Sequence, residues 1–121
     1  MPESYDGFRL TMPTVKAVPF LYSSKGARTH GTIRSDRCNL IMLSGLSVGD
    51  VDVVFQLFEE PPAAGNVPAW VVGVPKRAQF SWVPAQGGRV FQRLYYGVSS
   101  TVETYTPVNG GFWVDAEGML V

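Results

Sequence analysis

The stretch VDVVFQLF at residues 51–58 decides the fold class of this chain. Its odd positions are all apolar, whereas Asp52 and Gln56 occupy even positions, and this period of two is typical of a β-strand. Residues 49–50, Gly-Asp, form a turn before it, and residues 60–62, Glu-Pro-Pro, end it. We therefore predict a strand that turns Asp52 and Gln56 away from the face formed by its odd positions.

Further short segments of the same kind extend in both directions. β-Branched and aromatic residues favour strands, and stretches rich in them recur at residues 14–22, 28–34, 66–74, 79–83 and 89–98. The last stretch carries bulky groups on both faces, which indicates one strand contacted on both sides. Residues 36–43 fit either a short helix capped by Asp36 or a strand, and the sequence leaves both open.

Asn109, Gly110 and Gly111 form the clearest turn in the sequence. Asn-Gly is strongly preferred in tight hairpin turns because these turns need positive φ. We therefore predict that residues 101–108 and 112–115 are strands that pair antiparallel across this turn.

About eight short strands without a long amphipathic helix predict an all-β fold. The 121 residues are the length of one domain. We predict a single-domain antiparallel β-sandwich or jelly roll at residues 11–121, with a small barrel less favoured and residues 1–10 as a possible N-terminal arm. The predicted core consists of the inward positions Val53, Phe55, Leu57, Phe80, Trp82, Leu94, Tyr96 and Trp113.

Charge is sparse and unevenly distributed. Charged residues make up 17% of the chain, against roughly 25% in typical soluble domains. Interface cores are depleted in charge, so we expect a partner to cover part of the surface, and we expect a homo-oligomer. Residues 1–49 contain six basic and three acidic residues, and residues 50–121 contain four basic and seven acidic. The two halves therefore attract each other, either between copies or, as the favoured alternative, within one copy.

The sequence contains neither an apolar run long enough for a membrane helix nor a recognisable signal peptide. We therefore expect no membrane contact. Cys38 is the single cysteine, which indicates synthesis in a reducing compartment such as the cytoplasm.

Residues suited to catalysis or metal binding are few. His30 and Cys38 are the single histidine and the single cysteine, too few for a structural zinc site, and one histidine leaves one base for any serine nucleophile. We therefore predict no catalytic residue, no metal and no cofactor. The basic run at residues 25–37 lacks interleaved aromatics, and the isoelectric point is about 6.5, which makes a nucleic-acid partner unlikely.

Carboxylates and tryptophans leave one alternative open. Glycoside cleavage requires two carboxylates, and tryptophan rings stack on sugars. The candidate residues are Asp115, Glu117, Glu59, Glu60, Trp70, Trp82 and Trp113. They support a carbohydrate-binding module or a small glycoside-active enzyme as the alternative, although solvated acids and core tryptophans explain the same residues.

The chain is short and β-rich, with sparse charge and many Thr, Gly and aromatic residues. Its closing part contains the segment Tyr95-Tyr96-Gly97-Val98-Ser99-Ser100, followed by the turn at residues 109–111. This pattern resembles small virion proteins of tailed bacteriophages, and capsid cement or decoration proteins are the nearest fit. The resemblance implies a non-enzymatic protein that stabilises a capsid by binding the major capsid protein, or another virion protein, across shell subunits. It implies a location in the virion after assembly in the host cytoplasm. Tail, baseplate and fibre components are similar and form the alternative.

Partner contacts are expected at termini and long loops, because the strands are committed to the core. We predict three contact segments: residues 2–10, a basic loop at residues 25–37, and a projecting loop at residues 59–66. A sheet face in the stretch 89–98 is the fallback. The candidate partner-binding residues are Tyr5 and Phe8 in the first segment, Arg28, Arg34 and Arg37 in the second, Glu59 and Glu60 in the third, and Phe91, Arg93 and Tyr95 on the sheet face.

Overall fold

The computed structural model describes residues 18–109 and 111–121. The predicted N-terminal segment with Tyr5 and Phe8, and Gly110 of the predicted turn, lie outside the described residues. The described part contains nine strands and no helix, so the all-β prediction is confirmed. The strands are β1 (Val18–Ser23), β2 (His30–Arg34), β3 (Cys38–Ser47), β4 (Val53–Phe58), β5 (Trp70–Val74), β6 (Gln79–Trp82), β7 (Arg89–Phe91), β8 (Leu94–Ser99) and β9 (Phe112–Leu120).

Two antiparallel sheets form a sandwich. The first sheet has the order β1-β9-β3-β6, with β7 also paired to β3, and the second sheet has the order β2-β8-β4-β5. The pairs β1–β9, β2–β8, β3–β6/β7 and β4–β5 are nested like the two arms of one long hairpin wrapped around the core. This nesting is the jelly-roll form of the predicted β-sandwich.

The core lies between the two sheets and is rich in aromatic rings. Phe55 of β4 is fully buried, with ring centroids 5.0 Å from Phe80, 5.6 Å from Tyr96 and 5.2 Å from Phe112. The hydroxyls of Tyr22 and Tyr96 form a 3.0 Å hydrogen bond that links the sheets. Five of the eight predicted core residues are buried, and Phe80 and Trp82 pack half-buried against them.

The prediction of a core position for Trp113 is wrong. Its side chain is 46% exposed, whereas Phe112 and Val114 on either side of it are fully buried. β9 alternates as the sequence suggests, but the opposite phase of the strand faces the core.

The predicted hairpin at residues 109–111 is also wrong. β9 pairs with β1 and β3 in the first sheet and not with residues 101–108. Those residues form a loop because the Ser99 hydroxyl accepts hydrogen bonds from the amides of Thr101 and Thr106, at 3.1 and 2.9 Å. This closure bends the chain back on itself, so that no extended partner for β9 remains.

The stretch 89–98 is two strands in different sheets. β7 pairs with β3 in the first sheet, and β8 lies between β2 and β4 in the second. The chain crosses from the first sheet to the second at Gln92, whose backbone N–H donates to the Glu59 carboxylate at 2.9 Å. The inward and outward positions of β7 are set by its pairing with β3 and do not continue the alternation of β8. Phe91 therefore points into the core and is 1% exposed. The predicted face carrying Phe91, Arg93 and Tyr95 therefore does not exist.

The structure resolves residues 36–43, which the sequence left open, and corrects the prediction for residues 25–37. The open choice at residues 36–43 is resolved as a strand, because Cys38, Leu40 and Leu43 fill the core side of β3. The predicted basic loop at residues 25–37 contains strand β2, which pairs with β8. His30, expected in a loop, is exposed at the start of that strand.

Candidate functional site

The outer face of the second sheet is covered by the protein's own loops. Tyr105, in the loop after β8, is 5% exposed, and its ring packs edge-on against Phe58 of β4 at 5.3 Å between centroids. Gly97 of β8 makes room for this ring, because a Cβ there would lie 2.6 Å from Cε1 of Tyr105. All six residues of β4 are consequently buried.

A buried glutamine holds the covering loop in place. Gln56 is fully buried, and its Nε2 donates to the carbonyls of Thr101 at 2.8 Å and Val102 at 3.2 Å. The loop is also joined to the β4–β5 connection, where the Tyr105 amide donates to the Asn66 carbonyl at 2.8 Å. The sequence correctly placed Gln56 on the face opposite Phe55, but that face is buried.

The outer face of the first sheet is different, because apolar side chains remain exposed across it. Leu21 of β1 is 83% exposed and lies beside Glu117 of β9 in the strand register. The bulge between Leu40 and Met42 turns two successive apolar residues of β3 outward. We call this surface the apolar face; its exposed large side chains are Leu21, Ile41, Met42, Leu46, Val90 and Trp113.

A row of short polar side chains crosses the apolar face. Strand register aligns Ser23, Asp115, Ser44 and Ser81 from one edge of the sheet to the other. Because these side chains are short, a cleft lies on each side of Asp115, of about 390 Å³ beside Leu21 and Met42 and about 360 Å³ beside Leu46 and Trp113. The face therefore offers shape and hydrogen-bonding groups as well as apolar area.

The apolar face carries an excess of negative charge. Asp115 and Glu117 both point outward from β9, and Lys25 lies at the rim of the first cleft. Among residues 18–109 and 111–121, neither carboxylate forms an ion pair. A ligand of this face is therefore expected to be apolar with basic groups.

The basic residues predicted as a contact loop do not form one surface. Arg34 donates to both carboxylate oxygens of Asp36, at 2.9 and 3.0 Å, and this interaction lowers the pKa of the Asp36 carboxyl. Arg28 is exposed and donates to the Ser24 carbonyl at 3.3 Å, and Arg37 is exposed. Arg28 precedes β2, Arg34 is the last residue of that strand, and Arg37 follows it.

The predicted loop at residues 59–66 is present, but it is held against the second sheet. Arg93 donates to the Glu60 carboxylate at 3.0 Å and to the Glu59 carbonyl at 3.3 Å. Tyr95 is half-buried on β8. Glu59, Glu60 and Arg93 therefore hold the loop against the second sheet, and their contact with a partner stays a prediction.

The residues of the apolar face were largely missed from the sequence. Asp115 and Glu117 share a face as expected, and Trp113 joins them on it. The alternation of FWVDAEGML at residues 112–120 contains this information, because Phe112, Val114 and Ala116 form the other face. Trp70 and Trp82 instead stack on each other, 4.0 Å apart and half-buried, where β5 and β6 meet.

Cys38 lies on the core side of β3. It is fully buried, and burial raises the pKa of its thiol to about 11. In the part of the chain that the structure describes, no group of three or more His, Cys, Asp or Glu residues is arranged to hold a metal ion. The described residues also include no helix long and apolar enough to cross a membrane.

Comparisons with protein-family models, with curated proteins and with solved structures found no match to this chain. The functional argument therefore rests on the apolar face and on the jelly-roll fold.

Proposed function

We propose that the chain is a non-enzymatic structural protein of a virion, and that it stabilises the capsid of a tailed bacteriophage by binding across neighbouring shell subunits. Its partner would be the major capsid protein or another virion protein, and the apolar face would be the contact surface. The observation that carries this proposal is the contrast between the two outer faces: a loop covers β4 of the second sheet, whereas no described residue covers the exposed apolar side chains of the first.

The exposed apolar side chains on one sheet face support a binding role. Soluble monomers rarely leave a large apolar patch in water, and such patches mark interaction sites. Leu21, Met42 and Trp113 lie on adjacent strands of the same sheet. A partner that covers them gains the free energy of removing apolar surface from water.

The fold is consistent with this role by analogy. Double-sheet jelly rolls recur in viral capsid domains, and also in lectins and cupins, so the fold alone does not select a function. Among these alternatives the capsid is proposed because the composition of the chain resembles that of small phage virion proteins.

Co-sedimentation tests the proposal directly. Purified chain is mixed with empty shells of the phage that encodes it, and the temperature at which the shells rupture is measured with and without the chain. We expect the chain to pellet with the shells and to raise the rupture temperature. A chain that stays in the supernatant and leaves the rupture temperature unchanged would contradict the proposal.

A matched pair of variants tests the contact surface. Leu21→Asp places a charge on the apolar face, where the leucine is 83% exposed, and Val67→Asp places one in the β4–β5 loop, where the valine is 76% exposed. Both are expected to fold normally, and only Leu21→Asp should reduce binding to shells. Equal binding by the two variants would move the contact to another surface.

A glycan ligand is the second candidate, and one specific feature favours it. Trp113 and Asp115 line the 360 Å³ cleft together with Gln79, Ser44 and Ser81. An exposed indole that stacks on a sugar ring, beside carboxylate and hydroxyl groups that bind its hydroxyls, is a suitable arrangement for a saccharide.

An oligosaccharide panel distinguishes the two candidates. Sugar binding at this cleft, measured by calorimetry, would be strongly weakened in Trp113→Ala, whereas capsid binding would survive that substitution in large part. Binding of the chain to shells without binding to any member of the panel would exclude the glycan candidate.

A further inference from the structure

We propose that two copies of this chain pair through the open edge of β5, so that their second sheets join into one antiparallel sheet with four strands from each copy. The two-fold axis would pass beside Val72, the middle residue of β5. This inference goes beyond the proposed function and does not rest on it. It assigns a partner, a second copy of the chain, to an edge that lies outside the apolar face.

The edge of β5 lacks the features that keep other edge strands from pairing. An edge strand presents unpaired backbone N–H and C=O groups, and proteins guard them with prolines, charges, bulges or very short strands. In the described sheets, β1 contains Pro19, β2 has a bulge between Thr32 and Arg34, and β6 and β7 have four and three residues. β5 (WVVGV) has five residues, no proline, no charge and an unbroken register with β4. It is therefore the described edge most open to another strand.

Gly73 of β5 has no role that one copy of the chain explains. Glycine inside a strand costs stability relative to alanine, and it often marks the close approach of another backbone or a ligand. The other glycines of the described strands are in tight places, because a Cβ would lie 2.2–2.6 Å from another residue at Gly31, Gly45, Gly97 and Gly118. At Gly73 nothing lies within 4 Å of that position, and its φ is not positive. The glycine therefore fits a contact with a backbone outside this copy.

The sequence of β5 is complementary to itself. Directly opposed residues in an antiparallel pair lie on the same face of the sheet, and the register that pairs all five residues is centred on Val72. This register sets Val71 opposite the partner's Gly73, where the valine would cover the bare glycine backbone. It also sets Trp70 opposite the partner's Val74, and aromatic–β-branched pairs of this kind stabilise sheets.

Apolar groups beside β5 extend the contact. The rings of Trp70 and Trp82 stack 4.0 Å apart where β5 and β6 meet, and both are only half-buried. Val83, directly after β6, is 68% exposed. A two-fold axis perpendicular to the second sheet keeps both first sheets on the same side. The β5–β6 margins of the two copies would therefore face each other and bury these side chains.

The charges next to the edge fit the same orientation. Lys76 is exposed just after β5, and the register brings it toward the partner's Pro68. Glu59 and Glu60 line one cleft with Pro68. Because Glu60 pairs with Arg93 of its own copy, Glu59 remains to attract the lysine. The two Lys76 side chains would lie at opposite ends of the contact and would not repel each other.

Cysteine cross-linking of the full chain tests the position of the axis. Val72→Cys places two thiols opposite each other, where a Cα separation of about 4.5–5.5 Å suits a disulfide. We expect copper-catalysed air oxidation to convert most of this variant to a covalent dimer on non-reducing gels. Lys76→Cys is the matched control and should stay monomeric, because the two copies of residue 76 would lie about 26 Å apart. Cys38 is fully buried and does not compete.

Charge changes on β5 test the contact in solution. One variant carries Val71→Lys and Gly73→Lys, and the other carries Val71→Glu and Gly73→Glu. Each variant alone places like charges opposite each other, so we expect dimerisation at least about tenfold weaker than wild type by sedimentation velocity. Mixing the two restores opposite charges, and we expect the dimer to return. Val18→Lys with Val121→Lys, at two exposed positions away from β5, adds the same charge and should dimerise normally.

Several results would overturn the proposal. They are a wild-type chain that stays monomeric up to about 1 mM, charge variants that dimerise as strongly as wild type, a mixture that shows no recovery, and equal cross-linking through positions 72 and 76. A wild-type monomer whose lysine variant no longer binds shells would assign the β5 edge to a strand of the shell protein instead.

The outcome is separable from that of the proposed function. In the proposed dimer both apolar faces lie on the same side, so each would contact a different shell subunit. If the chain dimerises through β5 but never binds shells, the edge pairing stands and the capsid role fails. If the chain binds shells as a monomer and the lysine variant binds them equally, the capsid role stands and the edge pairing fails.

Discussion

The outer faces of both sheets carry apolar side chains, but these side chains are buried on β4 of the second sheet and exposed on the first. On the second sheet, β4 presents Val54, Gln56 and Phe58 outward; all three are buried, and the loop around Tyr105 contacts Gln56 and Phe58. On the first sheet, β9 presents Trp113, Asp115 and Glu117 outward, and no described residue buries them. A sheet needs one apolar face for its own core, so apolar groups on the second face must be covered by a loop or serve a partner. This contrast is the reason for proposing the apolar face as the contact surface.

The largest expected difference comes from placing the same charge on both outer faces. Gln56→Glu would set a carboxylate against the carbonyls of Thr101 and Val102 in a buried site, and we expect the free energy of unfolding to fall by about 4 kcal/mol at pH 7. Gln79→Glu, at an exposed position on the apolar face, is the control and should change it by less than about 0.5 kcal/mol. Urea denaturation measures both.

The pH dependence of Gln56→Glu has a definite sign. Burial raises the pKa of a carboxyl in the folded state above its unfolded value of about 4.3. The part of the loss that comes from ionisation is therefore absent below that pH and grows as the pH rises above it. If Gln56→Glu and Gln79→Glu lowered the free energy of unfolding equally, the two outer faces would not differ in burial as described.

Removal of one aromatic side chain from each face should give the next largest difference. Tyr105→Ala opens a cavity over Phe58, and we expect a loss of about 3 kcal/mol in the free energy of unfolding. Trp113→Ala removes a half-exposed ring and should cost less than about 1 kcal/mol. If thermal unfolding shows Trp113→Ala to be as harmful as Tyr105→Ala, the first sheet is covered more fully than its exposure indicates.

Thiol labelling compares the two sides of one strand. Cys38 faces the core from β3, and its raised pKa disfavours the reactive thiolate, so native protein at pH 8 should react only when it unfolds. A thiol introduced by Met42→Cys lies on the apolar face of the same strand and should react at once. Rapid labelling of wild-type protein would show that the core side of β3 is open to solvent.

The raised pKa of Cys38 also predicts a change at high pH. The neutral thiol is favoured in the folded state, so its contribution to stability is complete below the unfolded pKa of about 8.5 and is lost as the pH rises toward about 11. Cys38→Ala should lack this decline, although it costs some packing at every pH.

The smallest expected effect concerns the clamp on the β4–β5 loop. Arg93→Ala removes an exposed ion pair with Glu60 and a hydrogen bond to the Glu59 carbonyl, and we expect a loss of about 0.5 kcal/mol that shrinks at high salt. Arg77→Ala, which removes the exposed pair with Asp50, is a matched control. A loss above about 2 kcal/mol for Arg93→Ala alone would mean that this clamp is essential to the cover of the second sheet.

Local alternation in the sequence determined the fold class and much of the core. Strands at β4, β6 and β9, the opposite orientation of Phe55 and Gln56, and the common face of Asp115 and Glu117 all follow from a period of two, because neighbouring side chains on a strand point to opposite sides. Local pattern alone did not identify which side of β9 is the inner one, and the prediction for Trp113 failed for that reason.

Tertiary structure decided which strands share a sheet and which outer face is covered. β9 pairs with β3 and β1, more than sixty residues away in sequence, and the hairpin expected at residues 109–111 does not form because Ser99 closes a loop. The split of β7 from β8, the burial of Gln56 beneath that loop and the open apolar face depend on the same distant contacts. Nothing within one strand records whether another part of the chain will pack over it, because that choice is made by the free energy of the whole assembled sandwich.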